Sequence, residues 1–221
     1  YLDLEYRRGL LDDGEIEFFG GKQELIRRGY FADVDCAAMI HAASETPERE
    51  VSSDFSSNGF VGKTVQYEGR ESHAGGAPEE GVNALNAAMT GMNAVNANRE
   101  TFPDEEHVRV HPIVTKGGDG VNVVPADVRM ESYVRAKSVD AIEEANETTN
   151  RALKSGAMAV GANVTIEDFP GYLPLRTDET LVAAFDDNAR EVIGEDAVFG
   201  EHQHVTGSTD MGDVSQIVPA V

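Results

Sequence analysis

Between Phe60 and Phe169 the apolar pattern changes from a period of two to steps of three and four and back, in the order β-α-β-β-α-β. Few folds accept that order. Phe60 to Glu68 alternates as a strand, and a helix is predicted from Gly81 to Asn98 with Val82, Leu85, Ala88, Met89, Met92 and Val95 on its apolar face. Strands are predicted over Val108 to Thr115 and Val128 to Ala136, on either side of Gly117-Gly118-Asp119-Gly120. A second helix over Val139 to Val160 carries Ile142, Ala145, Thr149, Ala152 and Leu153 along one face, and Asn163 to Phe169 is the fourth strand. This is the element order of a ferredoxin-like sandwich.

The flanks read as pieces of something else. A short strand over Gly14 to Phe19, a helix from Lys22 to Arg28 and a strand from Val34 to Ile40 would make a β-α-β unit that delivers His41 at its end. A polar linker runs from Ala43 to Ser57. Beyond the sandwich, a helix from Glu179 to Ile193 has Leu181, Val182, Phe185, Ala189, Val192 and Ile193 on one side. A loop with His202 and His204 follows, then the run Gly207-Ser208-Thr209-Asp210-Met211-Gly212-Asp213. The expected architecture is α/β (α+β), with residues 56–174 inserted between two pieces, 1–55 and 175–221, of an α/β domain of two or more layers. The chain starts at Tyr1 and ends at Pro219-Ala220-Val221, so that outer domain is expected to be incomplete.

Composition narrows the partners. With 40 acidic and 18 basic residues the net charge is −22, which excludes non-specific nucleic-acid binding. Only five of the basic residues are lysine, and the acids are spread along the chain. That pattern suits a salt-adapted surface, since at about 1 M salt the screening length falls to roughly 3 Å. An acidic protein of an ordinary cytoplasm is the alternative. The single Cys36 excludes an internal disulfide framework. No apolar run has transmembrane length, and no signal peptide is visible, so a cytoplasmic location without membrane contact is expected.

Individual motifs are weak. Gly62-Lys63-Thr64 lacks the earlier glycine of a phosphate loop, having Ser57 in its place, and the lysine lies inside a strand. His73 in Ser72-His73-Ala74-Gly75-Gly76-Ala77-Pro78 could decorate the surface. Asn122 before Val123-Val124-Pro125 could be turn chemistry, and Arg135 an exposed strand residue.

In order, however, GRESHAGGAPEEGVNALNA (69–87), GGDGVNVVPADVRMESYVRA (117–136) and GSTDMGDVSQIVP (207–219) resemble the two-metal aminoacylase, glutamate carboxypeptidase and amidohydrolase family. The branch most similar holds the p-aminobenzoyl-glutamate hydrolases. The resemblance implies that the inserted sandwich pairs two subunits into a homodimer. It also implies that His73 reaches the partner's active site, and that Asn122 and Arg135 help to hold a substrate carboxylate or the tetrahedral intermediate. Preorganised donors suit that task, because arginine grips a carboxylate with two hydrogen bonds.

For the metal site the resemblance implies a divalent ion, zinc first and manganese or cobalt as alternatives, with His41 at a ligand position. The Glu-Glu pair of the family has no clear counterpart. Aligned without a gap, Glu17 takes the metal-binding place and Ile16 that of the general base; aligned as a strand over Gly14 to Gly20, the pair is missing, and this second alignment fits the glycines better. His202 and His204 precede the Ser-Thr-Asp run and are not assigned as ligands. Asp210 and Asp213 fall on a family signature read as a pocket floor or as a solvated loop. The catalytic base is therefore unknown. The expected activity is metal-dependent hydrolysis of the amide bond of an N-acyl or N-aroyl amino acid. The alternatives are a catalytically inactive dimerisation or binding remnant, and a plain structural protein.

Overall fold

The structure, a computed structural model, describes residues 4–42, 51–196, 198 and 202–221. In chain order its main elements are α1 (Leu4–Asp12), α2 (Gly21–Arg27), β1 (Phe55–Ser57), β2 (Gly59–Glu68), α3 (Ala84–Ala97), β3 (Arg109–Lys116) and β4 (Asp127–Ala136). These are followed by α4 (Val139–Val160), β5 (Asn163–Pro170), α5 (Glu179–Ile193), β6 (Gln203–Val205) and α6 (Met211–Val214). The chain divides into two compact units, residues 60–169 and the two flanks taken together.

The 60–169 unit is the expected sandwich. Its sheet has the order β3-β4-β2-β5, with β3 and β4 antiparallel from Arg109 opposite Arg135 to Lys116 opposite Arg129. Residues alternate across the sheet, so Val128, Met130 and Val134 of β4 join Val65 and Tyr67 of β2 in a core closed by Ala84, Ala87, Ala88 and Val95 of α3 and Ala145, Ala152, Leu153 and Ala157 of α4. Ser138 caps α4, accepting from the Ala141 amide, and Gly161 ends it at φ 74°, a left-handed conformation that suits glycine.

The apolar face of α3 differs from the predicted one. Met89 is half exposed, and the stripe that packs is Ala84, Ala87, Ala88, Gly91 and Val95. The cause is a close crossing. A Cβ on Gly91 would lie 2.5 Å from the Tyr67 hydroxyl and 3.2 Å from the Leu153 backbone, while one on Gly156 would meet the Gly91 amide nitrogen at 2.5 Å. Small residues set this contact, and the longer Leu85 and Met92 pack at its margin.

One cation lies inside the sandwich. Lys63 follows the inward phase of Val65 and Tyr67, and its side chain has no exposed surface. Its three N–H groups find three acceptors, Asn146 Oδ1 at 2.5 Å, Asn150 Oδ1 at 2.8 Å and Asp168 Oδ1 at 2.6 Å. Burial pulls the lysine below its ordinary pKa while Asp168 opposes that, and at Asp168 the ammonium and the two amides outweigh the upward push of burial.

In the flanking unit the expected β-α-β arrangement does not form. Residues 14–19 are not a strand, because the amides of Glu17 and Phe18 donate to the Glu24 carboxylate, at 2.6 and 2.8 Å, instead of to a ladder. Arg27 beside Glu24, helped by those two amides, holds that carboxylate at about 2. From the expected strand over Val34 to Ile40 only a parallel bridge remains, Ala37 with Ala220. The linker predicted over Ala43 to Ser57 ends in a strand, β1, which pairs in parallel with β6; its residues 43–50 lie outside the described part. A small core of Leu175, Met211, Val214 and Ala220 takes in Ile26 and Phe31.

Candidate carboxylate-binding site

Two loops of the sandwich meet at His73. The 69–81 loop runs beside the 117–126 loop, with His73 bridged to Val123, the Ala74 amide donating to the Asn122 carbonyl at 2.9 Å and the Val124 amide to the Ser72 carbonyl at 3.0 Å. The His73 ring is oriented from below: its Nδ1 accepts from the Gly75 and Gly76 amides, at 3.1 and 2.9 Å. Two donors at Nδ1 require the proton to sit on Nε2, which projects outward as a hydrogen-bond donor. The glycines permit this wrap, since a side chain at Gly76 would press on the imidazole at 3.3 Å.

Arg135 belongs to the other end of β4. Roughly 25 Å of strand, at about 3.3 Å per residue, separates it from the Asn122 loop that precedes Asp127. Within one protomer the structure therefore brings His73 and Asn122 together and leaves Arg135 apart. The Arg135 guanidinium lies over two rings on the sheet face away from the helices, 5.8 Å from the Phe60 centroid and 5.5 Å from that of Tyr133. Its buried Nε has no hydrogen-bond partner. The guanidinium is half-buried and faces two aromatic rings in a chain of net charge −22.

His41, exposed, directs Nδ1 to the carbonyl of Ala42 at 2.7 Å. Among the described residues no three His, Cys, Asp or Glu side chains converge as metal ligands. The described residues thus do not compose a two-ion centre around His41. Glu17, the alternative ligand, is an exposed partner of Arg27 at 3.2 Å.

Two further clusters involve residues that the sequence named without fixing their partners. Asp210 binds Lys22 at 2.5 Å, and Asp213 is buried in α6, where it accepts from Gln23 Nε2 at 3.0 Å. Burial pushes the Asp213 carboxyl up to about 6, against the help of Gln23. The second cluster gathers Asp54, Ser56, Asn58, His202 and His204 around β1 and β6. The spacing His-x-His, which puts both rings on one side of a strand, was its only signal.

Comparison with known proteins follows the same division. Residues 55–160 match the family model described as Peptidase dimerisation domain. Xaa-Arg dipeptidase of Mus musculus is 32% identical over 207 residues, which cover 91% of this chain and 46% of the dipeptidase. One of the polypeptides of the p-aminobenzoyl-glutamate hydrolase of Escherichia coli is 26% identical over 86% of this chain and 43% of its own length. An aminobenzoyl-glutamate utilization protein from Klebsiella pneumoniae shares the fold, with a TM-score of 0.65 at 21% identity over 89% of this chain and 51% of that one. The chain spans less than half the length of these two curated relatives.

Proposed function

Because the chain belongs to the peptidase and amidohydrolase family that carries this dimerisation domain, we propose that the protein hydrolyses the amide bond of an N-acyl or N-aroyl amino acid and recognises the free carboxylate of that amino acid. The observation that carries the reading is Arg135, a guanidinium held over Phe60 and Tyr133 with its Nε unpaired. A guanidinium is suited to hold a carboxylate with two parallel hydrogen bonds. His73 Nε2–H, oriented by two backbone amides, and Asn122 add donors suited to a developing oxyanion.

The separation of these groups favours a homodimer, in which one protomer contributes His73 with Asn122 and the other Arg135. The flanks would then be part of the hydrolytic domain and residues 56–174 the pairing domain. A divalent ion, zinc first, belongs to the same reading with His41 as a ligand. The described residues gather no further ligands around it. No helix among the described residues is long and apolar enough to cross a membrane. With the lone Cys36 free, a cytoplasmic, salt-adapted protein fits best.

The names of the relatives set the assay. Xaa-Arg dipeptides and p-aminobenzoyl-glutamate should be cleaved by the full protein, whereas their carboxamides, which lack the anionic group, should be cleaved at least tenfold more slowly. Equal rates on acids and amides would sink the carboxylate reading.

A further inference from the structure

The β3-β4 ladder sets cations opposite each other at both of its ends. Lys116 stands opposite Arg129 at one end, and Arg109 opposite Arg135 at the other. Residues facing each other in an antiparallel pair project from the same side of the sheet, with Cα atoms about 4.5 to 5.5 Å apart, and like charges at that spacing oppose folding. Val110 and Val134, next to the two arginines, are buried in the core, so both guanidiniums rise from the sheet face away from the helices.

The Lys116 and Arg129 pair has its counter-ion built in. One oxygen of Asp127, Oδ2, lies 3.0 Å from Lys116 Nζ and 3.1 Å from Arg129 Nη2, so a single carboxylate is shared by the two cations. The arginine pair has no such partner. Arg109, exposed, donates from Nη1 to the Val108 carbonyl at 2.9 Å, and Arg135 lies over Phe60 and Tyr133 with its Nε unpaired. Among the described residues neither guanidinium meets a carboxylate. The adjacent outward pair is His111 and Tyr133, and Glu131 lies beyond it, opposite Ile113, roughly 13 Å along β4 from Arg135. A chain with 40 acidic residues thus leaves this one cation pair of the ladder open.

We propose that Arg109 and Arg135 together clamp the free carboxylate of the substrate's amino acid, which takes the place that Asp127 fills at the other end of the ladder. The proposal rests on the carboxylate reading of Arg135 and adds Arg109 as a second binding residue. A carboxylate offers about four lone-pair positions, enough for donors from both guanidiniums. A ligand without that charge leaves two cations facing each other, so the pair rejects carboxamides more strongly than one arginine would.

The test is calorimetry of the full protein with p-aminobenzoyl-glutamine, whose only charge is its free carboxylate, and with the corresponding diamide. Arg109→Gln should weaken binding of the acid by roughly tenfold or more and leave binding of the diamide unchanged. Arg109→Lys, which restores a cation, should recover part of the loss. Because both arginines hold one group, the loss in the double variant with Arg135→Ala should fall short of the product of the two single losses. Acid binding that ignores Arg109→Gln, or a loss equal for acid and diamide, overturns the proposal, and so do losses that simply multiply. In each of these cases an acid-specific loss in Arg135→Ala would leave the carboxylate reading standing, whereas an acid that binds alike to parent, Arg109→Gln and Arg135→Ala removes both.

Discussion

Asp213→Asn should stabilise the protein at neutral pH, although it deletes a charge that α6 has kept. Asp213 is 8% exposed, its Oδ2 has no hydrogen-bond partner, and burial raises its carboxyl from the usual 3.8 to about 6. A group whose folded pKa is raised favours the fold in its protonated form. Its stabilising contribution is full below about 4, and it is lost as pH rises to about 6. Above that range the ionised carboxylate costs the fold up to about 3 kcal/mol, at 1.36 kcal/mol for each tenfold change in proton affinity. Asparagine keeps an oxygen for the Gln23 Nε2 bond and carries no charge, so it should recover about 2 kcal/mol at pH 7 and nothing at pH 4. Urea unfolding at fixed high salt from pH 4 to 8 measures the difference. A variant no more stable than the parent at pH 7, or a difference that ignores pH, would refute the reasoning.

Lys63→Met removes the one donor that faces Asn146 Oδ1, Asn150 Oδ1 and Asp168 Oδ1, and should destabilise the sandwich by about 3 kcal/mol in chemical unfolding; a loss below about 1 kcal/mol would mean that water replaces the ammonium. Melting temperature should rise from dilute buffer to molar potassium chloride because a charge of −22 repels itself, and equal values would remove the salt-adaptation argument. Inactive His73→Ala and Arg135→Ala forms of the full protein should regain about a quarter of the parental activity when refolded together, since half of random dimers are mixed and each mixed dimer holds one intact site of its two. No recovery in a population shown to contain mixed dimers would place both groups in one protomer.

The sandwich was legible because both of its periods are strong: α4 keeps the predicted limits, and Ile142, Ala145, Thr149, Ala152 and Leu153 are all buried. The α3 face was misread because scales of apolarity rank Met89 above Gly91, while a close helix crossing needs the reverse. Residues 14–19 alternate like a strand, yet a carboxylate three residues into α2 captures two of their amides, a tertiary event that no local pattern announces. Lys63 could have been found, because a lysine in phase with Val65 and Tyr67 must be buried with partners. For the candidate site, Arg135 stood in the sequence as one strand arginine among others. Resemblance alone singled it out there, and the structure adds the aromatic pair beside it and an Nε without a hydrogen-bond partner.

Calorimetry of p-aminobenzoyl-glutamate binding to the full protein, compared with Arg135→Ala and with a ligand whose carboxylates are amidated, tests the carboxylate claim most directly. A charge-assisted hydrogen bond contributes about 1.5 to 3 kcal/mol, so Arg135→Ala should weaken binding of the acid by roughly one to two orders of magnitude and leave the much weaker binding of the amide unchanged. Equal affinity of parent and variant for the acid, with both proteins folded and dimeric, would contradict the account.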